Sequence, residues 1–139
     1  MLNEWCEITN LEISAAKLGE KVKSDKSGAV VTFSGDVRDI DSGRFVVSLT
    51  YEIHPSAKKV LDEIVTRALG SQKEVSIAVA HRFGLIPIGE TAFAVAVASE
   101  HRREAFEMCS KIVDSVKSEL PIWKHQKFSD GTSEWVNCA

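Results

Sequence analysis

The sequence predicts an α+β domain in which a largely antiparallel sheet has helices packed on one side of it. Two observations lead to this class. Stretches that alternate apolar and polar residues, as strands do, come in consecutive pairs, and stretches with apolar residues at helical spacing separate the pairs. The resulting order of elements is β-α-β-β-α-β-β-α-β-β. Strands joined by short turns pair as antiparallel neighbours, and this order therefore favours a mainly antiparallel arrangement.

The first half of the chain predicts a short helix and two strands. Ser14 is a suitable N-cap for a weak helix in "ISAAKLGEKVKS". The stretch "GAVVTFSGDVR" alternates as a strand does, and "FVVSLTYEI" predicts a second strand, with one face formed by Phe45, Val47, Leu49, Tyr51 and Ile53. Turn residues, "DIDSGR", lie between them. We therefore expect a hairpin of these two strands with residues 38–44 as its loop.

The middle of the chain predicts a second helix and two more strands. Pro55 suits the first turn of a helix whose apolar residues recur at helical spacing up to Ala68, and Gly70 suits its end. Strands follow in "EVSIAVAHRFG" and "ETAFAVAVAS". The second of these is apolar on both faces, which indicates a central strand that is covered on both sides.

A long helix and a final hairpin complete the predicted fold. Ser99 is the expected N-cap of this helix, which runs to about Leu120, where Pro121 ends it. Two short strands, at about residues 122–128 and 132–137, flank the turn "SDGT". At 139 residues the whole chain, 1–139, is expected to form a single domain.

Composition excludes several classes of function. The chain has 17 basic and 20 acidic residues and a formal net charge of -3, which disfavours a nucleic-acid-binding surface but leaves a local cationic pocket possible. Nowhere do about 18 apolar residues follow one another, so no membrane span is expected. The beginning of the sequence carries acidic residues and no long apolar run, and it is not expected to be a signal peptide.

The cysteines and histidines predict neither a disulfide framework nor a metal site. Cys6, Cys109 and Cys138 form no CxxC pair, and the four histidines lack HxH or HExxH spacing. We therefore expect no metal, no cofactor and a reducing compartment, the cytoplasm. Cys109 is expected to pack in the core rather than react, and His81 is expected to be a hydrogen-bonded core histidine.

Charges on the last helix point to a candidate anion site. The apolar residues of this helix form one stripe, which consists of Ala105, Cys109, Ile112, Val113, Val116 and Leu120. By helical spacing Arg102 falls within the stripe, His101 lies at its edge, and Arg103 points to solvent. An arginine on a core-facing stripe needs either a buried carboxylate or a bound anion, and the pattern leaves both alternatives open.

Two lysines surround the end of the same helix. Lys117 lies at the boundary of the apolar stripe, and Lys124 follows on an extended segment. Each alone is typical of a snorkelling or surface lysine. Between them, Pro121 fixes the direction of the chain and Trp123 can anchor it to the core, and such rigid placement is what a binding site requires. Together with Arg102, the two lysines predict a cationic pocket for an anionic ligand.

Several of these segments resemble a known family. The stretches "GAVVTFSGDVRD", "YEIHPSAKKVLDEI", the run from "AHRFG" to "WKHQ", and "DGTSEWV" are similar to the large, catalytic subunit of molybdopterin synthase over about residues 28 to 136. The most specific parts are the helix start "HRREAF" and the spacing K-x5-W-K around Pro121. The resemblance implies the α/β hammerhead fold of that family.

The resemblance also implies an activity and partners. Members of the family convert cyclic pyranopterin monophosphate, or precursor Z, into molybdopterin by inserting the two sulfurs of the dithiolene that holds molybdenum. The sulfur donor is a ubiquitin-like small subunit with a C-terminal thiocarboxylate, and the complex is a heterotetramer around a large-subunit homodimer. The expected partners are therefore this small subunit, the pterin substrate and a second copy of the chain, with no nucleic acid and no membrane.

Residue by residue, the resemblance implies five site residues. Lys117 and Lys124 match the two catalytic lysines of the family, and Arg38, His101 and Arg102 match substrate-binding positions. Our hypothesis for the division of roles puts Lys117 near the transferred sulfur, and Lys124 with Arg38 and Arg102 near the pterin phosphate, which arginine binds well. Because a thiocarboxylate is itself a nucleophile, the enzyme needs no cysteine or serine nucleophile.

The sequence departs from the family after Lys124. Many relatives continue there with a lysine and a glutamate, whereas this chain has His125 and Gln126, to which the resemblance assigns no role. Two other functions remain open from the sequence: a binding subunit that has lost turnover, and an unrelated enzyme that binds phosphate in the same pocket. The retained cations disfavour the first, and the second would need no protein partner.

Overall fold

The computed structural model describes residues 4–72 and 74–137, and Cys138 lies outside them. The described residues form three helices and nine strands. The strands are β1 (Glu4–Thr9), β2 (Ala29–Asp36), β3 (Ile40–Asp41), β4 (Arg44–Ile53), β5 (Ser76–Arg82), β6 (Gly84–Ile86), β7 (Thr91–Ser99), β8 (Ile122–Phe128) and β9 (Ser133–Val136), and the helices are α1 (Ala15–Val22), α2 (Ala57–Leu69) and α3 (Arg102–Glu119). The predicted order is confirmed, and the structure adds the short strands β3 and β6.

The first sheet has the strand order β1-β5-β7-β2. β7 pairs antiparallel with both of its neighbours, whereas β1 runs parallel to β5. Every residue of β7 after Thr91 is buried, as predicted for a central strand covered on both sides. The predicted α+β class with largely antiparallel pairing is thereby confirmed.

Helices cover both faces of the first sheet. α2 and α3 pack on the face that carries Ile77 and Val95, and α1 packs on the opposite face against five alanines of β5 and β7. The prediction that the helices lie on one side is therefore wrong for α1. The small alanine side chains let this helix approach closely, and a Cβ added to Gly19 would come 3.3 Å from the Thr32 side chain.

The second sheet has the order β3-β4-β8-β9, and β6 also pairs with β4. The predicted hairpin of β2 and β4 is wrong, because β2 pairs with β7 in the first sheet. The turn residues close the smaller hairpin of β3 and β4 instead. Ser42 and Gly43 have φ values of 52° and 79°, as a two-residue type I′ turn requires. The chain crosses between the sheets at residues 37–39, which places Arg38 at their junction.

The prediction that Phe45 and Val47 share one face of β4 with Leu49 is wrong. Leu49 is buried as expected, but Phe45 and Val47 are 62% and 57% exposed, and Val46 is buried in their place. The pairing of β4 with β8 shifts between Val46 and Ser48, and a bulge of this kind exchanges the two faces of a strand. Strict alternation therefore assigned residues 45–47 to the wrong side.

The long helix α3 ends where predicted but begins differently. Its N-cap is His101 rather than Ser99, whose hydroxyl donates to the His101 carbonyl oxygen at 2.5 Å. The helix ends at Glu119, and Leu120 is its C-cap, immediately before Pro121. Within residues 4–72 and 74–137, no helix combines the length and apolar character needed to cross a membrane.

Both sheets share one apolar core with α2 and α3. Leu49 and Ile122 of the second sheet belong to the same buried cluster as Val95 of the first sheet and Ile112 of α3. This common core joins α3 to both sheets, and the candidate site lies beside the C-terminal end of that helix.

Candidate active site

A cavity of about 220 Å³ lies between the two sheets, beside the C-terminal end of α3. Its walls come from β2, β3, β4, β7, β8 and α3, and from the segment between β2 and β3. Arg38, Lys117 and Lys124 all line this cavity. The fold thus brings together three of the five site residues that the family resemblance implied.

Lys117 reaches the cavity from the last turn of α3. Burial of Ile112 and Val116 fixes the rotation of the helix, so that Lys117 lies beside the buried stripe. A cation is also favoured here by the helix dipole. The pKa of the nearby His81 is lowered to about 4, mainly by burial, and the charge of Lys117 adds to this lowering.

Lys124 is half-buried in β8, opposite Tyr51 of β4. Alternation along the strand puts Lys124 on the same face as Ile122 and Gln126, which are both buried. The predicted anchor of this segment, Trp123, is only half-buried, whereas Ile122 is fully buried in the core. Ile122 is therefore the residue that fixes the position of Lys124 at the cavity.

Arg38 is placed by the backbone of the residue before it. Val37 is buried, its N–H donates to the Glu90 carbonyl oxygen at 2.9 Å, and its own carbonyl oxygen accepts from the Gly89 N–H at 2.8 Å. The Arg38 side chain is 75% exposed, with Nη2 lying 3.9 Å from Oδ1 of Asp41. An exposed guanidinium on a fixed backbone can turn towards an incoming anion.

Two carboxylates that the sequence did not predict also line the cavity. Asp36 accepts hydrogen bonds from the hydroxyls of Ser34, at 2.6 Å, and Thr91, at 2.8 Å. Asp41 accepts a hydrogen bond from the side-chain amide of Gln126 at 2.8 Å. No motif marks either aspartate, because β2 and β3 become neighbours of the lysines only through the crossing between the sheets.

Gln126 could have been found from its spacing. It lies two residues after Lys124 in a strand, and alternation therefore puts the two side chains on one face. Its hydrogen bond is the main cause that lowers the pKa of Asp41 below the ordinary value, and the charges of Lys124, Arg38 and Arg44 lower it further. Asp41 is consequently an ionised carboxylate at neutral pH.

Aromatic rings separate the cavity from the core. Tyr51 and Phe93 line the cavity, and the ring of His81 lies edge-on to Tyr51 at 5.0 Å and stacked on Phe93 at 5.4 Å. His81 is fully buried and donates from Nδ1 to the carbonyl oxygen of Arg82 at 2.9 Å. The predicted hydrogen-bonded core histidine is confirmed. With its pKa lowered to about 4, mainly by burial, His81 is neutral at neutral pH.

The two cysteines that the structure describes are not suited to nucleophilic attack. Burial raises the pKa of the Cys6 thiol to about 12, and it also raises the pKa of Cys109. Both are free thiols, and neither lines the cavity. Because the thiolate is the reactive form, these thiols are inert at neutral pH. Cys109 packs in the core, as predicted.

The other two implied site residues lie at the opposite end of α3. Arg102 is the first residue of the helix and Lys117 lies in its last turn, about 22 Å further along the axis. His101 is exposed, with Nε2 lying 3.5 Å from Oε1 of Glu100. One copy of the chain therefore does not bring His101 and Arg102 to the cavity that holds Lys117.

The prediction that Arg102 faces the core is wrong. Arg102 is exposed, and the buried stripe of α3 begins at Ala105. Helical side chains lean towards the N-terminus, so a side chain in the first turn projects past the beginning of the helix and past the layer against which the helix packs. Because Arg102 is exposed, its charge requires neither a buried carboxylate nor a bound anion.

The geometry of the cavity suits a small anionic ligand. Three cations face a space that is open to solvent on one side and closed by aromatic rings on the other. Such groups can bind a phosphate or carboxylate and stabilise negative charge that develops during a reaction.

Comparison with protein families identifies the family of this chain. The family model described as "MoaE protein" matches residues 8–119, which is most of the chain. The chain belongs to the MoaE family. A relative from Thermoplasma volcanium, named molybdopterin synthase catalytic subunit, is 35% identical over 136 residues, which cover 97% of this chain and 99% of the relative. The predicted family is thereby confirmed.

Some relatives are longer than this chain. The molybdopterin synthase catalytic subunit of Arabidopsis thaliana is 37% identical over 121 residues, which cover 86% of this chain but 61% of the plant protein. The chain therefore spans about three-fifths of the length of the plant relative.

Solved structures share the fold. Molybdopterin synthase from Staphylococcus aureus has a TM-score of 0.86 and 30% identity, over 94% of this chain and 96% of that chain. A Helicobacter pylori complex of subunits 1 and 2 of molybdopterin-converting factor has a TM-score of 0.74 and 21% identity, over 95% of this chain and 88% of that chain. The first match confirms the predicted fold, and the second shows that the fold recurs in a complex of two subunits.

Proposed function

We propose that this chain is the catalytic subunit of a molybdopterin synthase, which inserts two sulfurs from a thiocarboxylated, ubiquitin-like small subunit into cyclic pyranopterin monophosphate. The observation that carries the proposal is the convergence of Arg38, Lys117 and Lys124 on one cavity in a member of the MoaE family. Both proposed reactants are anions, one a thiocarboxylate and the other a phosphate ester. Converging cations attract both, even in a chain whose net charge is -3.

The chemistry needs no nucleophile from this chain. The thiocarboxylate sulfur of each donor forms a C–S bond to a side-chain carbon of the pterin while a C–O bond at that carbon breaks. One oxygen leaves with the cyclic phosphate, which opens to a phosphate monoester, and the other leaves as water. Water then cleaves the bond between each sulfur and the acyl carbon of its donor. The donor leaves as a carboxylate, and two donors supply the two sulfurs. The inert thiols of Cys6 and Cys109 are consistent with this scheme, in which the protein orients the reactants and stabilises developing negative charge.

The three converging cations have different surroundings, which supports a division of roles. Lys117 lies on a helix end near His81, whose ring contacts Tyr51 and Phe93, and we assign it to the sulfur-transfer end of the cavity. Lys124 and Arg38 both lie near Asp41 and act on its charge, and we assign them to the phosphate of the pterin. An ammonium is a compact charge suited to a single sulfur, whereas a guanidinium suits the geometry of a phosphate.

We also infer that His101 and Arg102 serve the site of a second copy of the chain. Both are exposed, and they lie about 22 Å from Lys117 along α3. A two-fold homodimer gives each cavity the same pair of residues from its partner, because the interface of such a dimer is symmetric. With one small subunit on each copy, the assembly is a heterotetramer.

We further propose that the chain acts as a single domain in the cytoplasm. The apolar core shared by the two sheets supports one domain, and the free thiols of Cys6 and Cys109 suit a reducing compartment.

Reconstitution tests this function. The purified chain is mixed with cyclic pyranopterin monophosphate and a thiocarboxylated small subunit, and molybdopterin is detected as its oxidised fluorescent derivative. We expect product only when all three components are present. A stable complex with the small subunit but no product would favour a binding subunit instead. The absence of both complex and product would leave only an anion-binding cavity.

A further inference from the structure

Gln126 joins two carboxylates at the edge of the cavity. Its side chain is buried, and Nε2 donates to Oδ2 of Asp41 at 2.8 Å and lies 3.4 Å from Oε1 of Glu134. Both neighbours are carboxylates, which only accept hydrogen bonds, so the amide nitrogen faces them. The tight turn between β3 and β4 brings Asp41 into this position from one edge of the second sheet, while Gln126 comes from β8.

Asp41 in turn faces the cations of the cavity. Its second oxygen, Oδ1, lies 3.9 Å from Nη2 of Arg38, and Lys124 and Arg44 also act on its charge. Arg38 is 75% exposed, and a long exposed side chain adopts many rotamers unless a partner restricts it. A fixed carboxylate three residues away supplies such a partner.

We propose that Asp41, oriented by Gln126, is a positioning residue that holds Arg38 and Lys124 facing the cavity before the anionic substrate arrives. The identity of that substrate rests on the proposed function. The arrangement of charges around Asp41 does not depend on the proposed function. Asp41 carries the same charge as the ligand, so it does not attract the ligand itself. Its contribution is to reduce repulsion between the cations and to restrict their side chains.

A hydrogen bond between positions 126 and 41 is essential to this arrangement, and the natural chain forms it with an amide at position 126. This amide can donate to Asp41 and face Glu134 at once, whereas a glutamate at the same position would add a third negative charge and remove the donor. The arrangement therefore depends on one donor and one carboxylate at positions 126 and 41, in either order.

The experiment compares Asp41→Asn, Gln126→Glu and the double variant Asp41→Asn/Gln126→Glu. The double variant has the net charge of the natural chain and can form the same hydrogen bond in the opposite direction, with the asparagine amide donating to the glutamate. Asp130→Asn is the matched control, because Asp130 is also hydrogen-bonded by its neighbours but lies in the turn between β8 and β9. The readouts are KM for the pterin and kcat with a saturating thiocarboxylated small subunit.

For Asp41→Asn, a purely electrostatic effect and a positioning effect predict changes of opposite sign in KM for the pterin. Removing a negative charge from an anion site should lower KM if charge alone mattered. Positioning predicts that KM for the pterin rises about tenfold with kcat changed less than about threefold. We expect Gln126→Glu to raise KM at least as much, the double variant to return to within about threefold of the natural chain, and Asp130→Asn to have no effect.

A second readout separates this inference from the proposed function. Inorganic phosphate is titrated into the chain without any small subunit, and the backbone amide signals of residues 37–41 are followed by NMR. We expect weaker phosphate binding in both single variants and recovery in the double variant. If the natural chain makes no molybdopterin but shows this pattern, the proposed function fails and the inference stands. Stronger phosphate binding in Asp41→Asn, unchanged KM in both single variants, or no recovery in the double variant would overturn the inference.

Discussion

Arg82 and Glu90 form an ion pair, with Nη1 and Oε1 2.7 Å apart, that supports Arg38 through the backbone. The Arg82 side chain at the end of β5 is only 10% exposed. Glu90 precedes β7, and its carbonyl oxygen accepts the hydrogen bond from the N–H of Val37. The Arg82–Glu90 pair lies outside the cavity, but it fixes the turn whose backbone is hydrogen-bonded to Val37, the residue before Arg38.

Removing Glu90 should destabilise the fold more than removing a similar surface carboxylate. We expect Glu90→Ala to lower the free energy of unfolding by about 2 kcal/mol, because it leaves a nearly buried arginine without its partner. The control is Glu119→Ala, which breaks a pair with Arg67 of similar length, 2.6 Å, but with both side chains largely exposed. Its effect should stay below about 1 kcal/mol in urea unfolding. Equal losses would show that burial of Arg82 does not strengthen the pair.

His81 should make the stability of the protein fall in mild acid. Burial lowers its pKa from 6.5 to about 4, so between these values the unfolded chain binds a proton that the folded chain excludes. Stability is therefore complete above about pH 6.5 and decreases as the pH falls towards 4, by about 2 kcal/mol between pH 7 and pH 5. Urea unfolding at these two pH values measures the loss.

The variant His81→Phe isolates this contribution. It lacks the titrating group, so the part of the acid sensitivity between pH 7 and pH 5 that His81 contributes should disappear, whatever the stability of the variant at pH 7. The exposed His54, changed to glutamine, is the matched control and should retain the full dependence. Acid sensitivity that survives in His81→Phe would have to come from other groups.

The sequence predicted the elements of this fold better than their arrangement. Helix caps, proline and alternation are local, and they located all three helices and most of the strands, although the long helix begins two residues later than the predicted cap Ser99 implied. The sequence did not predict that β2 and β4 belong to different sheets. β2 pairs with β7 because this buries the apolar residues of β7, and β7 lies far from β2 in the sequence. The bulge at Val47 was missed because one inserted residue leaves no trace in the composition of a strand.

The residues of the candidate site also differ in whether local sequence patterns could predict them. Lys117 and Lys124 were identified from their spacing around Pro121, and Arg38 came from the family resemblance. Asp41 carried no signal, because it reaches the cavity through a turn that the predicted hairpin had placed elsewhere. Helical periodicity predicted that Arg102 faces the core. Periodicity does not show at which residue of the helix the packing against the sheet begins, and in α3 this residue is Ala105.

Loss of either cavity lysine should reduce turnover without unfolding the protein. We expect Lys117→Ala and Lys124→Ala each to lower kcat/KM about a hundredfold or more, since each removes a charge that stabilises the reacting anions. Lys117→Ala should act mainly on kcat and Lys124→Ala mainly on KM for the pterin, in line with their proposed places at the sulfur and at the phosphate. The reconstituted reaction measures both constants.

Each lysine has a matched control on its own element. Lys111 lies on the exposed side of α3 and Lys127 on the exposed side of β8, and the corresponding alanine variants should keep full activity. Circular dichroism and thermal unfolding should show native folding for all four variants. Full turnover by Lys117→Ala would remove this residue from the sulfur-transfer step.

Complementation between inactive variants tests the site shared across the homodimer. Lys117→Ala damages the cavity and Arg102→Ala damages the opposite end of α3, so homodimers of either variant have two defective sites. In a mixed dimer, one site receives an intact cavity from one copy and an intact Arg102 from the other. Equal mixing followed by subunit exchange should therefore restore about a quarter of the natural activity.

Mixing Lys117→Ala with Lys124→Ala is the control. Both variants damage the cavity itself, so every site in the mixed dimer remains defective. Recovery in the first mixture alone requires Arg102 to act on the partner's cavity. Failure to recover, with subunit exchange verified by mass spectrometry, would mean that Arg102 does not complete a site across the dimer.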